Sequence, residues 1–205
     1  MHLSGATYEE LYSGFRWDLP EQFNVAEACC FRHARSDKRD APALFYERED
    51  GTVDTYSFGH LEAYASRFAN LLAHLGVGGG DIVGVHLPQT PEALIAHLGI
   101  QTVGAIALPL FALFGPDAMQ FRLTDSRAKV LVSNMAGLER TDPATSDQPA
   151  LEHVLCIDGD ANGGAKSFWA LMENASPEAS PVATGIDDPA FLMYTSGTTG
   201  NPKGV

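Results

Sequence analysis

The sequence predicts an α/β fold, with largely parallel sheet layers flanked by helices. Three observations carry this. Short apolar segments alternate with helical patterns from residue 81 to residue 132. A long apolar stripe at helical spacing precedes them, and the chain of 205 residues, 45% hydrophobic, is large enough to bury a substantial core.

Each element has its own reason. Asn24 and Glu27 have capping-box spacing and open a helix over 25–35, with Ala26, Cys30 and His33 or Ala34 on one side. Strands at 43–46 and 53–56 flank a charged turn ending in Gly51, as in a hairpin. Ser57 caps the clearest helix, where Leu61, Tyr64, Ala65, Phe68, Leu71, Leu72 and Leu75 form one stripe and Gly76 is the stop. Such a stripe either binds a partner or packs on a sheet, and packing is the reading adopted. A buried strand follows at 81–87. Thr90 and Pro91 then start a helix that carries Leu94, Ile95 and Leu98 inward and ends near Gly104. Strands at 105–108, 129–132, 152–157 and 190–194 and helices at 116–126 and 167–173 complete the pattern. The stretches 139–150, 159–165 and 174–189, rich in Pro, Gly, Ser, Asp and Asn, read as surface loops.

The formal net charge of −13 opposes general nucleic-acid binding, because such a field repels phosphate backbones. Cys29, Cys30 and Cys156 cannot all pair within the chain and lack C-x-x-C spacing, which points to a reducing compartment. Cys29 and Cys30 are read as packing residues. The first twenty residues do not resemble a signal peptide, and no apolar run approaches the roughly 20 residues that span a bilayer. A soluble, cytoplasmic protein is expected. Seven histidines without H-x-x-x-H or H-E-x-x-H spacing predict no dedicated metal site, and His86 and His97, in apolar segments, are read as satisfied core or interface residues. Asp187 and Asp188 are read as a solvated turn.

The segment with chemistry is Tyr194-Thr195-Ser196-Gly197-Thr198-Thr199-Gly200-Asn201-Pro202-Lys203-Gly204. Glycines let a backbone reach positive φ and approach a ligand without a Cβ in the way. Successive N–H groups then converge on an anion, hydroxyls add donors, and Lys203 brings a full positive charge. The spacing is not that of a Walker A loop, since Asn201 and Pro202 stand between the last glycine and the lysine. A ligand-free flexible turn is the alternative for a short Gly/Thr stretch; the whole string after a strand favours phosphate binding.

That string resembles the signature of the acyl-adenylate-forming superfamily, which includes acyl-CoA synthetases, luciferases and the adenylation domains of peptide synthetases. The resemblance extends upstream. Thr55-Tyr56-Ser57-Phe58, Gly80 to Val85 with Pro91-Glu92, and Gly104 to Leu110 with Gly115-Pro116-Asp117-Ala118 look like further motifs of the short- and medium-chain acyl-CoA synthetase branch, placing the chain in fatty acid metabolism. His60 departs from the family's usual glutamate and is expected to weaken a capping box. Phe111 and Phe114 are read as a hydrophobic anchor for their turn, with the border of an acyl channel as the alternative.

The resemblance implies that a carboxylate attacks the α-phosphate of ATP, with Mg2+ nearby, and that coenzyme A then displaces AMP. Thr195, Ser196, Thr198, Thr199 and Lys203 would be donors to the β- and γ-phosphates, while Gly197 and Gly200 give backbone access. It also implies that residues 1–205 are an incomplete N-terminal portion of the adenylate-forming large domain. The family's adenine, ribose and magnesium-binding residues and its catalytic lysine lie downstream. No catalytic residue is therefore expected within the chain, and the isolated chain is expected to form no thioester. The alternatives are an adenylation domain that transfers to a carrier-protein thiol, and a non-catalytic remnant.

Overall fold

A computed structural model describes residues 7–18, 20–146, 148–161, 164–195 and 200–205, without the side chains of 142–146. The first element among the described residues is helix α1 (Tyr8–Gly14), which the sequence does not predict; a Thr7–Glu10 capping box holds its start and none of its residues is buried. The helix expected after Asn24 exists, and Asn24 Oδ1 accepts from the backbone of Ala26 and Glu27 at 2.9 and 3.2 Å. Its middle, Glu27–Phe31, is a π-helical turn, continued by α2 (Arg32–Ala34). Glu27 pairs with Arg35 at 3.6 Å. The turn buries Cys30 and Phe31 but leaves Cys29 exposed, so only one of that cysteine pair is a packing residue.

The hairpin forms as expected from β1 (Pro42–Glu47) and β2 (Val53–Ser57), antiparallel, with Phe45 opposite Thr55. Helix α3 (Phe58–His74) follows, burying Leu61, Ala65, Phe68, Leu71 and Leu72. Its capping box is complete despite His60: the imidazole Nδ1 accepts from Ser57 N at 3.4 Å, and Ser57 Oγ accepts from His60 N at 3.2 Å. An imidazole nitrogen thus takes the part of the missing carboxylate. The helix ends where Gly76, at φ +74°, donates to Ala73 while Val77 donates to Leu72. This six-to-one pairing satisfies the last carbonyls.

From here strand and helix alternate: β3 (Ile82–His86), α4 (Pro91–Thr102), β4 (Ile106–Pro109), α5 (Pro116–Ser126), β5 (Val130–Ser133), α6 (Met135–Ser146), β6 (His153–Cys156), β7 (Lys166–Ser167) and α7 (Phe168–Glu173). The five strands form one parallel sheet in the order β4-β3-β5-β6-β7. Alternate side chains divide between two cores. Val83, Val85, Val130, Val132 and Leu155 face α3, α4 and α7, where Phe68, Ile95 and Phe168 are buried. Leu108, Leu131 and Cys156 face α5, with Met119 and Leu123, and Leu138 of α6. The result is a three-layer arrangement, the usual solution for a parallel sheet that must cover both faces.

Two expectations need correction. The stretch 139–150 is not a loop throughout, because α6 occupies it as far as Ser146. Asn134 opens that helix, its Oδ1 accepting from Gly137 N at 2.9 Å, and the Thr, Asp, Pro and Ser that follow imitate a loop composition. Residues 190–194 are not a full strand. Ala107 N donates to Ala190 O at 3.0 Å and Leu192 N to Ala107 O at 2.9 Å, a single parallel bridge on the edge of β4. The next bond of that ladder would require an N–H from residue 109, which is proline. No helix among the described residues is long and apolar enough to cross a membrane.

Candidate phosphate-binding site

Past that bridge the chain leaves the sheet and folds back on itself. Strands β8 (Tyr194–Thr195) and β9 (Lys203–Gly204) pair antiparallel, with Tyr194 opposite Gly204 and Thr195 opposite Lys203. Met193 and Val205 exchange backbone hydrogen bonds at 2.8 and 2.9 Å and close the base. The Gly/Thr loop is therefore held between two tied strand ends. Cross-strand partners project to one face, so the Thr195 hydroxyl and the Lys203 ammonium emerge side by side. Both residues are exposed. Gly200 sits at φ +103° with open space where a Cβ would be. Ser196, Gly197, Thr198 and Thr199 lie outside the described residues. Donors of this kind around a glycine with positive φ suit a polyphosphate.

Tyr194 is more than the first letter of a motif. Its phenol donates to Asp125 Oδ2 at 2.6 Å, and its ring meets Phe121 edge-on and lies 5.6 Å from the guanidinium of Arg122. Burial first, then the hydrogen bond to Asp125 and its charge, push the phenol above the ordinary tyrosine range, while Arg122 opposes the shift. Sequence reasoning missed this cluster, because the partners are 69 positions apart.

An open, mostly apolar cleft of about 940 Å3 runs from the hairpin across the carboxyl ends of β3 and β4 to Met193 and Tyr194. In open α/β sheets that end of the strands is where ligands bind. Phe111 and Phe114 both line the cleft; Phe111 is 63% exposed, and Phe114 packs edge-on against it with Arg122 stacked 4.1 Å from its ring centre. Phe114 is thus packed as an anchor would be, while both rings border the cleft. Thr90 Oγ1, His97 Nδ1 and Arg122 Nε are buried without a hydrogen-bond partner among the described residues, and all three residues line this cleft.

His86 is fully buried, with Nδ1 3.1 Å from Ser133 Oγ. Burial, then the charge of Arg140, holds it below the ordinary histidine range, against a smaller opposing contribution from the backbone of Ala112 and Phe111. His97 is lowered by burial alone. Among the described residues no cluster of three or more His, Cys, Asp or Glu could hold a metal ion.

An acetyl-coenzyme A synthetase of Shewanella pealeana is 36% identical over 208 residues, covering 93% of this chain and 32% of the relative. One of Salmonella typhi is 33% identical with the same coverage. The crystal structure of a Brucella canis acyl-CoA synthetase superposes with a TM-score of 0.82 at 30% identity, over 97% of this chain and 37% of that one. An anthranilate CoA ligase, AuaEII, solved in complex with anthranoyl-AMP, gives 0.83 at 28% identity, over 92% and 35%. The chain thus spans about a third of the length of these relatives. The match to the AMP-binding enzyme family runs over residues 30–205, from the π-helical turn to the far strand of the β8–β9 pair, and the chain belongs to that family.

Proposed function

We propose that residues 1–205 are the N-terminal portion of the large domain of an AMP-forming acid–CoA ligase, and that their share of the reaction is to hold the ATP polyphosphate. The observation that carries this is the pairing of Thr195 with Lys203, which brings a hydroxyl and an ammonium together at the mouth of a glycine loop. Thr195, Ser196, Thr198, Thr199 and Lys203 act as donors to the β- and γ-phosphates, and Gly197 and Gly200 let the backbone approach.

In the first step a substrate carboxylate oxygen bonds to the α-phosphorus of ATP as the bond to the bridging oxygen breaks, and pyrophosphate leaves with that electron pair. In the second, the sulfur of coenzyme A bonds to the acyl carbon and AMP departs. The loop makes and breaks no covalent bond. Its contribution is to orient the leaving pyrophosphate and stabilise its growing charge, with Mg2+ entering as the counter-ion of the nucleotide. The apolar cleft beside Tyr194, with unpaired polar atoms on Thr90, His97 and Arg122, suits an acid or a thiol carrier that is apolar along its length and polar at intervals. Coenzyme A is favoured over a carrier protein because the similar proteins are CoA synthetases and a CoA ligase. Three free cysteines agree with a cytoplasmic setting.

The test is calorimetric titration of chain 1–205 with tripolyphosphate and with ATP, in the wild type and in Lys203→Met. Binding on the order of millimolar or tighter is expected. It should weaken by roughly tenfold when the exposed ammonium is removed, with no change in unfolding midpoint. Absence of binding in the wild type, or equal affinity in the variant, would sink the reading and leave a non-catalytic remnant. No acyl-CoA is expected from chain 1–205 alone.

A further inference from the structure

One face of α5 surrounds a single tyrosine of another segment. Phe121, Arg122 and Asp125 follow at i, i+1 and i+4, and all three meet Tyr194. Arg122 is only 9% exposed; its Nη1 donates to Ala118 O at 2.8 Å, and its guanidinium lies over Phe114. The clamp is therefore fixed to the helix and to the turn before it. Phe121 and Arg122 hold the ring by its faces and edges, contacts that tolerate sliding. The 2.6 Å hydrogen bond to Asp125 fixes the ring along its length, and its shortness is that of a phenol donating to a carboxylate.

What the ring holds is the loop. Tyr194 stands opposite Gly204, and a Cβ at Gly204 would lie 3.5 Å from Tyr194 Cζ and 3.0 Å from Leu192 Cδ1. The returning strand thus lies flush against the clamped tyrosine. One side chain ties both ends of the phosphate loop to α5, and a loop closed before its ligand arrives spends less binding energy on ordering.

We propose that Asp125, acting through the Tyr194 hydroxyl, is a positioning residue for the phosphate loop, keeping the β8–β9 ladder closed and so setting the loop's affinity for polyphosphate. The last clause rests on the phosphate-binding reading above; the closure of the ladder does not.

The experiment is native-state hydrogen exchange on chain 1–205 for the wild type, Tyr194→Phe, Asp125→Asn and the double variant, followed by tripolyphosphate titration of each. The Met193 and Val205 amides should exchange about tenfold faster in either single variant and no faster in the double, the scale of one lost charge-assisted hydrogen bond. The amides of Val83 and Val132 in the central sheet should keep wild-type rates, and polyphosphate affinity should fall in the same order as ladder protection. Unchanged Met193 and Val205 exchange overturns the proposal. So does additive loss in the double variant, or equal acceleration in the central sheet, which would mark a merely structural bond. Failure of the wild type to bind tripolyphosphate, with ladder exchange changed as expected, would remove the phosphate reading and leave the clamp.

Discussion

Gly99 lies so close to Phe68 that a Cβ at position 99 would stand 2.6 Å from Phe68 Cδ1 and 3.1 Å from the carbonyl oxygen of Ala65. Helices α3 and α4 meet here, on the face of the sheet that buries Ile95 and Leu72. Two effects oppose each other in Gly99→Ala. Alanine is the better helix former by about 1 kcal/mol. Yet Phe68 is fully buried with no room to swing, and the other contact is backbone. Overpacking costs about 1–3 kcal/mol, so the clash wins. Gly99→Ala should lower the urea midpoint of the chain; a raised midpoint would show that the helices separate without penalty.

What the sequence made legible, and what it did not, follows from range. The α3 stripe, the Gly76 and Gly104 stops and the strand–helix alternation are local signals, and each appears within a residue or two of where periodicity puts it. The candidate phosphate loop could be proposed from sequence because its glycines, hydroxyls and lysine fall within eleven positions. Elements whose identity rests on distant partners were not. Helix α6 hides behind a loop-like composition and is held by an Asn134 cap and by Met135 N donating to Asp158. The short course of 190–194 is decided by the missing N–H of Pro109 on a neighbouring strand. His60 stands where the resembling family usually has glutamate, which points to a weakened cap, yet its nitrogen serves. The Tyr194–Asp125 bond and the cleft join segments far apart in the chain, and no spacing rule reports on either.

His86 and His97 give the chain a stability that depends on pH. Burial leads the depression of both, and in the unfolded chain each returns to about 6.5. Below that value the unfolded state binds protons that the folded state refuses, so stability rises with pH there. The contribution is complete above about pH 6.5 and is lost as pH falls toward the folded values. Each histidine can remove at most about 1.4 kcal/mol per pH unit across that window. Urea midpoints at pH 7.5 and 5.5 should therefore differ. His97→Phe keeps the ring contact with Phe191 and removes the proton site, so it should narrow the difference. An equal difference in the variant would mean that His97 takes up its proton as easily when folded.

Two glycines of the loop separate backbone conformation from packing. Gly200 has φ +103° and nothing within 4 Å of its absent Cβ, so alanine would find space there but not a comfortable backbone. Strain of this kind costs about 1–3 kcal/mol, and the loop can shed it by local opening without unfolding the sheet. Gly200→Ala should thus weaken tripolyphosphate binding by roughly tenfold, near the middle of that range, while the unfolding midpoint stays close to wild type. Gly204 differs: its nearest obstacle is Leu192 Cδ1 at 3.0 Å, the far end of a flexible side chain, and the Tyr194 ring stands at 3.5 Å. Gly204→Ala asks Leu192 to move by a few tenths of an ångström and leaves the backbone unstrained, so its effect on binding should be the smaller of the two. Titration of both variants beside thermal unfolding decides the matter. If Gly204→Ala is the more damaging, the fit of the returning strand against Tyr194 governs the loop; if neither alters binding, Gly200 does not need its positive φ to receive the phosphates.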